Sequence, residues 1–121
     1  MVKLIICATR KAGISHEDFD AYWRDKHGPL VKSVAEFARH LRKYVQCHLV
    51  ETRVPFGIAG TYDGVAELWF DSVDEAAAAF NEPKYLEIIR PDELKFVDSR
   101  QCISFVTEEL TVFCSDGPQS Q

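Results

Sequence analysis

The chain is 121 residues long, 46% hydrophobic and 27% charged, the size and balance of one soluble globular domain whose core needs no disulfide staples. Its net charge of −5 argues against nucleic acid or an anionic membrane as partner, and the small basic cluster Arg39, Arg42 and Lys43 reads as a solvated helix end. No apolar run approaches the ~20 residues of a membrane span, and Met1 leads into a strand-like segment without a signal-peptide pattern, so a cytoplasmic location is expected.

In chain order, residues 2–9 form a β-rich run ended by Arg10-Lys11-Ala12-Gly13. Ser15-His16-Glu17-Asp18 resembles a capping box, which predicts a helix over 16–27 with Phe19, Trp23 and His27 along one stripe. Gly28 suits a left-handed helix stop and Pro29 the first turn of a new helix, predicted over 29–39, so His27 is expected at a corner, half packed and half free. A second strand is predicted over 43–50 and a third over 64–70. Between them the thirteen residues 50–62, with Pro55, Gly57 and Gly60, are longer than a hairpin needs and are expected to form a lid over a pocket. Ser72-Val73-Asp74-Glu75 caps a helix over 73–80, Pro83 begins a helical piece through residue 89, and a turn around Pro91-Asp92-Glu93 leads to a fourth strand over 101–110. The domain is thus expected to occupy residues 1–114, followed by a flexible polar tail, 115–121. Cys7, Cys47, Cys102 and Cys114 show no CxxC pairing and are expected to be buried thiols.

Strand, helix, strand, strand, helix, strand is the split βαβ or ferredoxin-like order, an α+β fold with helices on one face of a four-stranded antiparallel sheet. Along the second strand, alternation assigns Val45, Cys47 and Leu49 to the helix side and Tyr44, Gln46 and His48 to the other; along the third, Ala66, Leu68 and Phe70 face the helices while Val65, Glu67 and Trp69 face away. The outer set is too apolar for open solvent and too polar for a dry core. A homodimer with facing sheets and a wet cavity between them meets both constraints.

Four blocks carry a family resemblance: Phe19-x-x-Tyr22-Trp23-x-x-x-His27-Gly28-Pro29-Leu30, Leu41-Arg42-Lys43-Tyr44-Val45-Gln46, Tyr62-Asp63-Gly64-Val65-Ala66-Glu67-Leu68-Trp69-Phe70 and Phe105-Val106-Thr107-Glu108-Glu109. Together, over about residues 2–112, they resemble the EthD-like family of dimeric α+β barrels. The resemblance implies a ferredoxin-like protomer, a homodimer and a pocket in or beside each sheet. Its members look to include a muconolactone methylisomerase and fungal polyketide dehydratases and decarboxylases. From the isomerase pattern His27 and Tyr44 carry over. The pattern's second histidine and its cysteine do not, because Arg53-Val54-Pro55 and Leu68 stand there.

The expected function is therefore a cofactor-independent lyase or isomerase acting on a small cyclic or aromatic polyketide-like metabolite. His27 is the candidate proton shuttle, since imidazole both takes and gives a proton near neutrality. Tyr44, with His48, is the candidate stabiliser of an enolate; Trp23, Gln46, Arg53, Glu67, Trp69 and Phe105 are candidate substrate contacts. His16, His27, His40 and His48 show no metal-ligand spacing, and no glycine-rich phosphate loop is present, so no metal or cofactor is expected. The alternatives are a cofactorless monooxygenase or haem-binding barrel, and a non-catalytic protein that holds a hydrophobic ligand.

Overall fold

A computed structural model describes residues 1–117. Strand β1 (Val2–Ala8) leads through a loop to α1 (His16–Tyr22), where the Ser15 hydroxyl accepts from the Asp18 amide at 3.0 Å. A π-helical turn, Trp23–His27, joins α1 to α2 (Gly28–Ser33), and α3 (Ala35–Ala38) precedes β2 (Lys43–His48). Then come β3 (Gly64–Phe70), α4 (Val73–Phe80), a second π-helical turn (Tyr85–Ile89), α5 (Arg90–Glu93), a single 3₁₀ turn (Ser99–Gln101) and β4 (Ile103–Thr107). The sheet order is β2-β3-β1-β4, with every neighbouring pair antiparallel. This is the ferredoxin-like α+β arrangement. Among the described residues no helix is long and apolar enough to cross a membrane.

The expected helix stop at His27 does not occur. Gly28 has ordinary right-handed helical angles (φ −57°, ψ −53°), and its N–H bonds Trp23 O, five residues back. Proline inside a regular α-helix would lose a bond and strike the preceding turn; the wider turn before Pro29 accommodates it. The second half of the chain repeats the device, with the Arg90 N–H on Tyr85 O just before Pro91. Gly28 is required for space rather than for a left-handed turn, because a Cβ there would lie 2.8 Å from Gln46 Nε2 and 3.3 Å from Trp23 O. The predicted second helix is instead broken at Val34 (φ −87°, ψ 93°), just after Ser33 Oγ turns back to Leu30 O at 2.7 Å.

The helices pack on the sheet face that carries Leu4, Ile6, Ala66, Leu68 and Phe70, burying Phe19, Phe37, Phe70 and Ile89 almost completely. Register corrects the second strand. Tyr44 pairs with Leu68, Gln46 with Ala66 and His48 with Gly64, so these three side chains face the helices and Val45 and Cys47 face away with Glu67 and Val65. Alternation defines two faces without saying which is inward. The inward assignment follows from α1, whose Asp20 and the adjacent Trp23 supply the polar partners. Beyond β4, residues 108–117 form no strand, and residues 118–121 of the expected flexible tail lie outside the described residues. Cys47 and Cys114 are exposed, against the expectation of burial, and Cys7 and Cys102 are half-buried.

Candidate active site

Between the helices and the inner face of the sheet lies a cavity of about 400 Å³, within the ordinary range of small-molecule sites. Its walls are mostly apolar, with Leu4, Ile6, Leu68, Phe80 and Phe96 among them. His27, Tyr44, Tyr85, Arg90 and Glu93 bring polar groups to it. This cavity lies on the helix-covered face of the sheet, where β2 presents its polar side chains, and not on the open face to which alternation assigns them.

His27 is not half free: only 5% of the residue is exposed. The π turn directs its ring inward, where Nδ1 lies 2.8 Å from Asp92 Oδ2 and the ring packs on Phe96. Asp92 Oδ1 accepts from the Tyr22 hydroxyl at 2.5 Å. Burial drives the His27 pKa below its usual value, overriding the opposing pull of Asp92. Burial alone would raise Asp92, but the hydrogen bonds from Tyr22 and His27 outweigh it and hold the carboxyl below the usual range. The pair is therefore neutral imidazole beside carboxylate, with Nδ1–H donated to Asp92 and Nε2 left as the basic nitrogen.

Tyr44 Oη receives two hydrogen bonds, from Trp23 Nε1 and from Gln46 Nε2, both at 3.2 Å. With both lone pairs engaged, the phenolic hydrogen is the part left for the cavity. Burial raises the Tyr44 pKa despite these two donors, so the hydroxyl keeps its proton. Gln46 is itself held by Trp23 O at 2.9 Å and, through Oε1, by His48 Nε2 at 2.8 Å. His48 Nδ1 is engaged by Asp20, and the His48 ring lies against Trp23.

The other expected contacts lie elsewhere. Arg53 is exposed in the loop and paired with Glu51 at 2.8 Å, and no residue of 50–62 lines the cavity, so the loop is not a lid over it. Glu67, Trp69 and Phe105 sit on the outer sheet face: Glu67 meets Lys3 at 3.5 Å, Trp69 Nε1 donates to Glu109 at 2.7 Å beneath the Lys3 and Lys43 ammonium groups, and Phe105 is 52% exposed. Sequence reasoning missed Asp92, Glu93, Tyr85 and Arg90. Residues 91–93 read as a connecting turn, and the available signal was the second Xaa-Pro step, which repeats the helix-then-proline pattern of the first half.

Residues 11–100 match the EthD domain. The chain belongs to the EthD domain family. This EthD domain is 28% identical over 105 residues, 79% of its length and 73% of the relative's, to a conidial pigment biosynthesis dehydratase EthD of Metarhizium robertsii. In fold it is similar to an EthD family protein of Bacillus halodurans, with a TM-score of 0.67 and 21% identity over 91% of this chain and 99% of that one. It is also similar to a dimeric ferredoxin-like protein of unknown function from Bacteroides fragilis, with a TM-score of 0.63 and 11% identity over 89% and 95%.

Proposed function

We propose that this EthD domain, residues 1–114, is a lyase that eliminates water from a small cyclic β-hydroxy ketone of polyketide type, using side chains alone. One observation carries the reading: His27, its Nδ1 committed to Asp92, and Tyr44, its lone pairs committed to Trp23 and Gln46, line the same cavity with a basic nitrogen and a hydroxyl hydrogen to spare. The ring ketone accepts the Tyr44 hydrogen bond while His27 Nε2 takes the proton from the α-carbon, and the electron pair moves to an enolate that Tyr44 stabilises. Expulsion of the β-hydroxyl then forms the C=C bond. The change is redox-neutral, so acid and base are the chemistry it needs. Decarboxylation and proton-shift isomerisation pass through a similar enolate; the name of the Metarhizium relative favours water loss.

Trp23 and Phe96 form an aromatic wall suited to a planar ring. His48, with both ring nitrogens engaged, serves as a positioning residue for Gln46 and hence for Tyr44. The outer sheet face, with Ile103, Phe105, Val65 and Trp69, is assigned to a homodimer interface, an assembly that the Bacteroides neighbour's description supports.

The test uses 3-hydroxy-1-tetralone, whose dehydration gives fluorescent 1-naphthol. Wild type is expected to accelerate naphthol formation, and folded His27→Gln to lose roughly 10²–10⁴-fold of that rate. No acceleration by wild type, or a folded His27→Gln variant above about half the wild-type rate, a loss far below that range, overturns the reading.

A further inference from the structure

An elimination needs a proton for the hydroxyl that leaves as well as a base for the α-carbon, and His27, turned to imidazolium by the proton it takes from carbon, is not the only group facing the cavity. Asp92 and Glu93 are consecutive at the end of α5, yet they do different things. Asp92 is turned to His27 and Tyr22, whereas Glu93 lines the cavity itself.

We propose that Glu93, held by Tyr85, is the general acid that protonates the departing hydroxyl. The inference rests on the reading of the cavity as a dehydrating site. Both Glu93 oxygens lie 2.9 Å from Tyr85 Oη. The phenol donates its one hydrogen to the carboxyl, which fixes the orientation of the group while a proton on the carboxyl stays available to the cavity. Tyr85 is anchored in the second π turn and packed between Phe37 and Phe80, so the carboxyl is held against a fixed ring. The groups that face Glu93 are Tyr85 from the π turn, Arg90 and Asp92 from α5, Tyr44 from β2 and Cys102 ahead of β4. Burial is the main influence on the carboxyl and Asp92 adds repulsion, against the Tyr85 hydrogen bond and the Arg90 charge; the result is a pKa pushed up to about 7. A carboxyl so placed keeps its proton into the neutral range, as a general acid must.

The step balances without any co-reactant. His27 Nε2 accepts the α-proton and the C–H pair becomes the enolate; the enolate pair forms the C=C bond as the C–O bond breaks; the Glu93 proton joins the leaving oxygen as water. Imidazolium and carboxylate then return to their starting forms by proton exchange with solvent.

The experiment separates the acid from the base. In D₂O, 1-tetralone exchanges its α-hydrogens by enolisation and has no hydroxyl to expel, whereas 3-hydroxy-1-tetralone must expel one. Glu93→Gln, which keeps the side-chain volume and a carbonyl for Tyr85, is expected to slow naphthol formation roughly 10²–10⁴-fold while leaving 1-tetralone exchange within about threefold of wild type. The fall of the elimination rate on the alkaline side of pH 7 is expected to vanish in the residual activity of that variant. His27→Gln is expected to slow both reactions roughly 10²–10⁴-fold. If Glu93→Gln leaves elimination intact while His27→Gln slows it by that amount, the assignment of Glu93 is overturned and the dehydratase reading stands. If Glu93→Gln slows exchange and elimination equally, Glu93 shapes the cavity and is not the acid. If wild type catalyses neither reaction, both readings fall.

Discussion

His27 Nδ1 and Asp92 Oδ2 lie 2.8 Å apart across 65 residues of sequence, joining the π turn of the first half of the chain to the short helix α5 of the second. The contact sets which nitrogen of the imidazole is basic. Asp92 is itself oriented by Tyr22 on Oδ1, with Lys95 Nζ at 3.5 Å from the same oxygen.

That arrangement makes Asp92→Asn informative. Tyr22 and Lys95 require an acceptor at Oδ1, so the amide nitrogen takes the place of Oδ2 and points its N–H at His27 Nδ1. The imidazole must then accept at Nδ1 and carry its proton on Nε2, where it is no longer a base. Tetralone exchange and elimination are both expected to fall roughly 10²–10⁴-fold, the worth of a positioned base, with the helix content of circular dichroism unchanged. In wild type, burial holds the His27 pKa below 6.5. The neutral base therefore survives below the usual histidine range, and the acid limb of the rate profile is expected under pH 6.5.

Tyr44→Phe removes one hydroxyl and touches two donors. Gln46 Nε2 keeps Trp23 O, but Trp23 Nε1 loses its acceptor in a buried setting. An unpaired buried donor costs about 1–3 kcal/mol, so the melting temperature is expected to drop as well as the rate. The rate loss is expected to be roughly 10²–10³-fold in kcat with a smaller change in KM, as for removal of an oxyanion donor. An unchanged kcat in the folded variant would remove Tyr44 from the chemistry.

His40 ties two helical segments together and supplies a pH dependence separate from activity. Its Nδ1 lies 2.7 Å from Glu75 and its Nε2 2.7 Å from Glu82, which Arg39 also reaches at 2.8 Å. Hydrogen bonds to Glu82 and then Glu75 raise the His40 pKa above 6.5, and the His40 and Arg39 bonds lower that of Glu82 below 4.5. A raised histidine stabilises fully below its unfolded value and loses that contribution as pH rises through the folded one. A lowered glutamate stabilises above its unfolded value and loses that contribution as pH falls through the folded one. Melting curves of wild type and His40→Asn are therefore expected to differ most between about pH 4.5 and 6.5 and to converge at more alkaline pH.

The outer sheet face is tested by mass. Light scattering at micromolar concentration is expected to give twice the 13.8 kDa of one chain. Phe105→Glu, placed beside Ile5 and one strand beyond it from the already acidic Glu67 on that face, is expected to shift the population toward monomer. A wild-type monomer would leave the exposed Phe105 and Ile103 without a partner and overturn the interface.

Local signals determined most of the architecture by themselves. Capping residues Ser15 and Ser72 announce their helices because a hydroxyl must satisfy orphan amides within three residues. The strand-helix alternation yields the ferredoxin-like order because few right-handed, unknotted arrangements of such elements exist. His27 and Tyr44 were visible as chemical types. What only the tertiary structure decided is where they point and what faces them. A period of two does not say which face of β2 is inward, and that depended on Asp20 and Trp23 offering partners to His48, Gln46 and Tyr44. Asp92 and Glu93 looked like a surface turn because their partners, His27 at 65 residues' distance and Tyr85 at 8, are reached only after the π turns around Pro29 and Pro91 have aimed both helices at one cavity. Local sequence specifies hydrogen bonds made within a turn or two, whereas the charge state of a buried group depends on neighbours that the folded chain alone brings within a few ångströms.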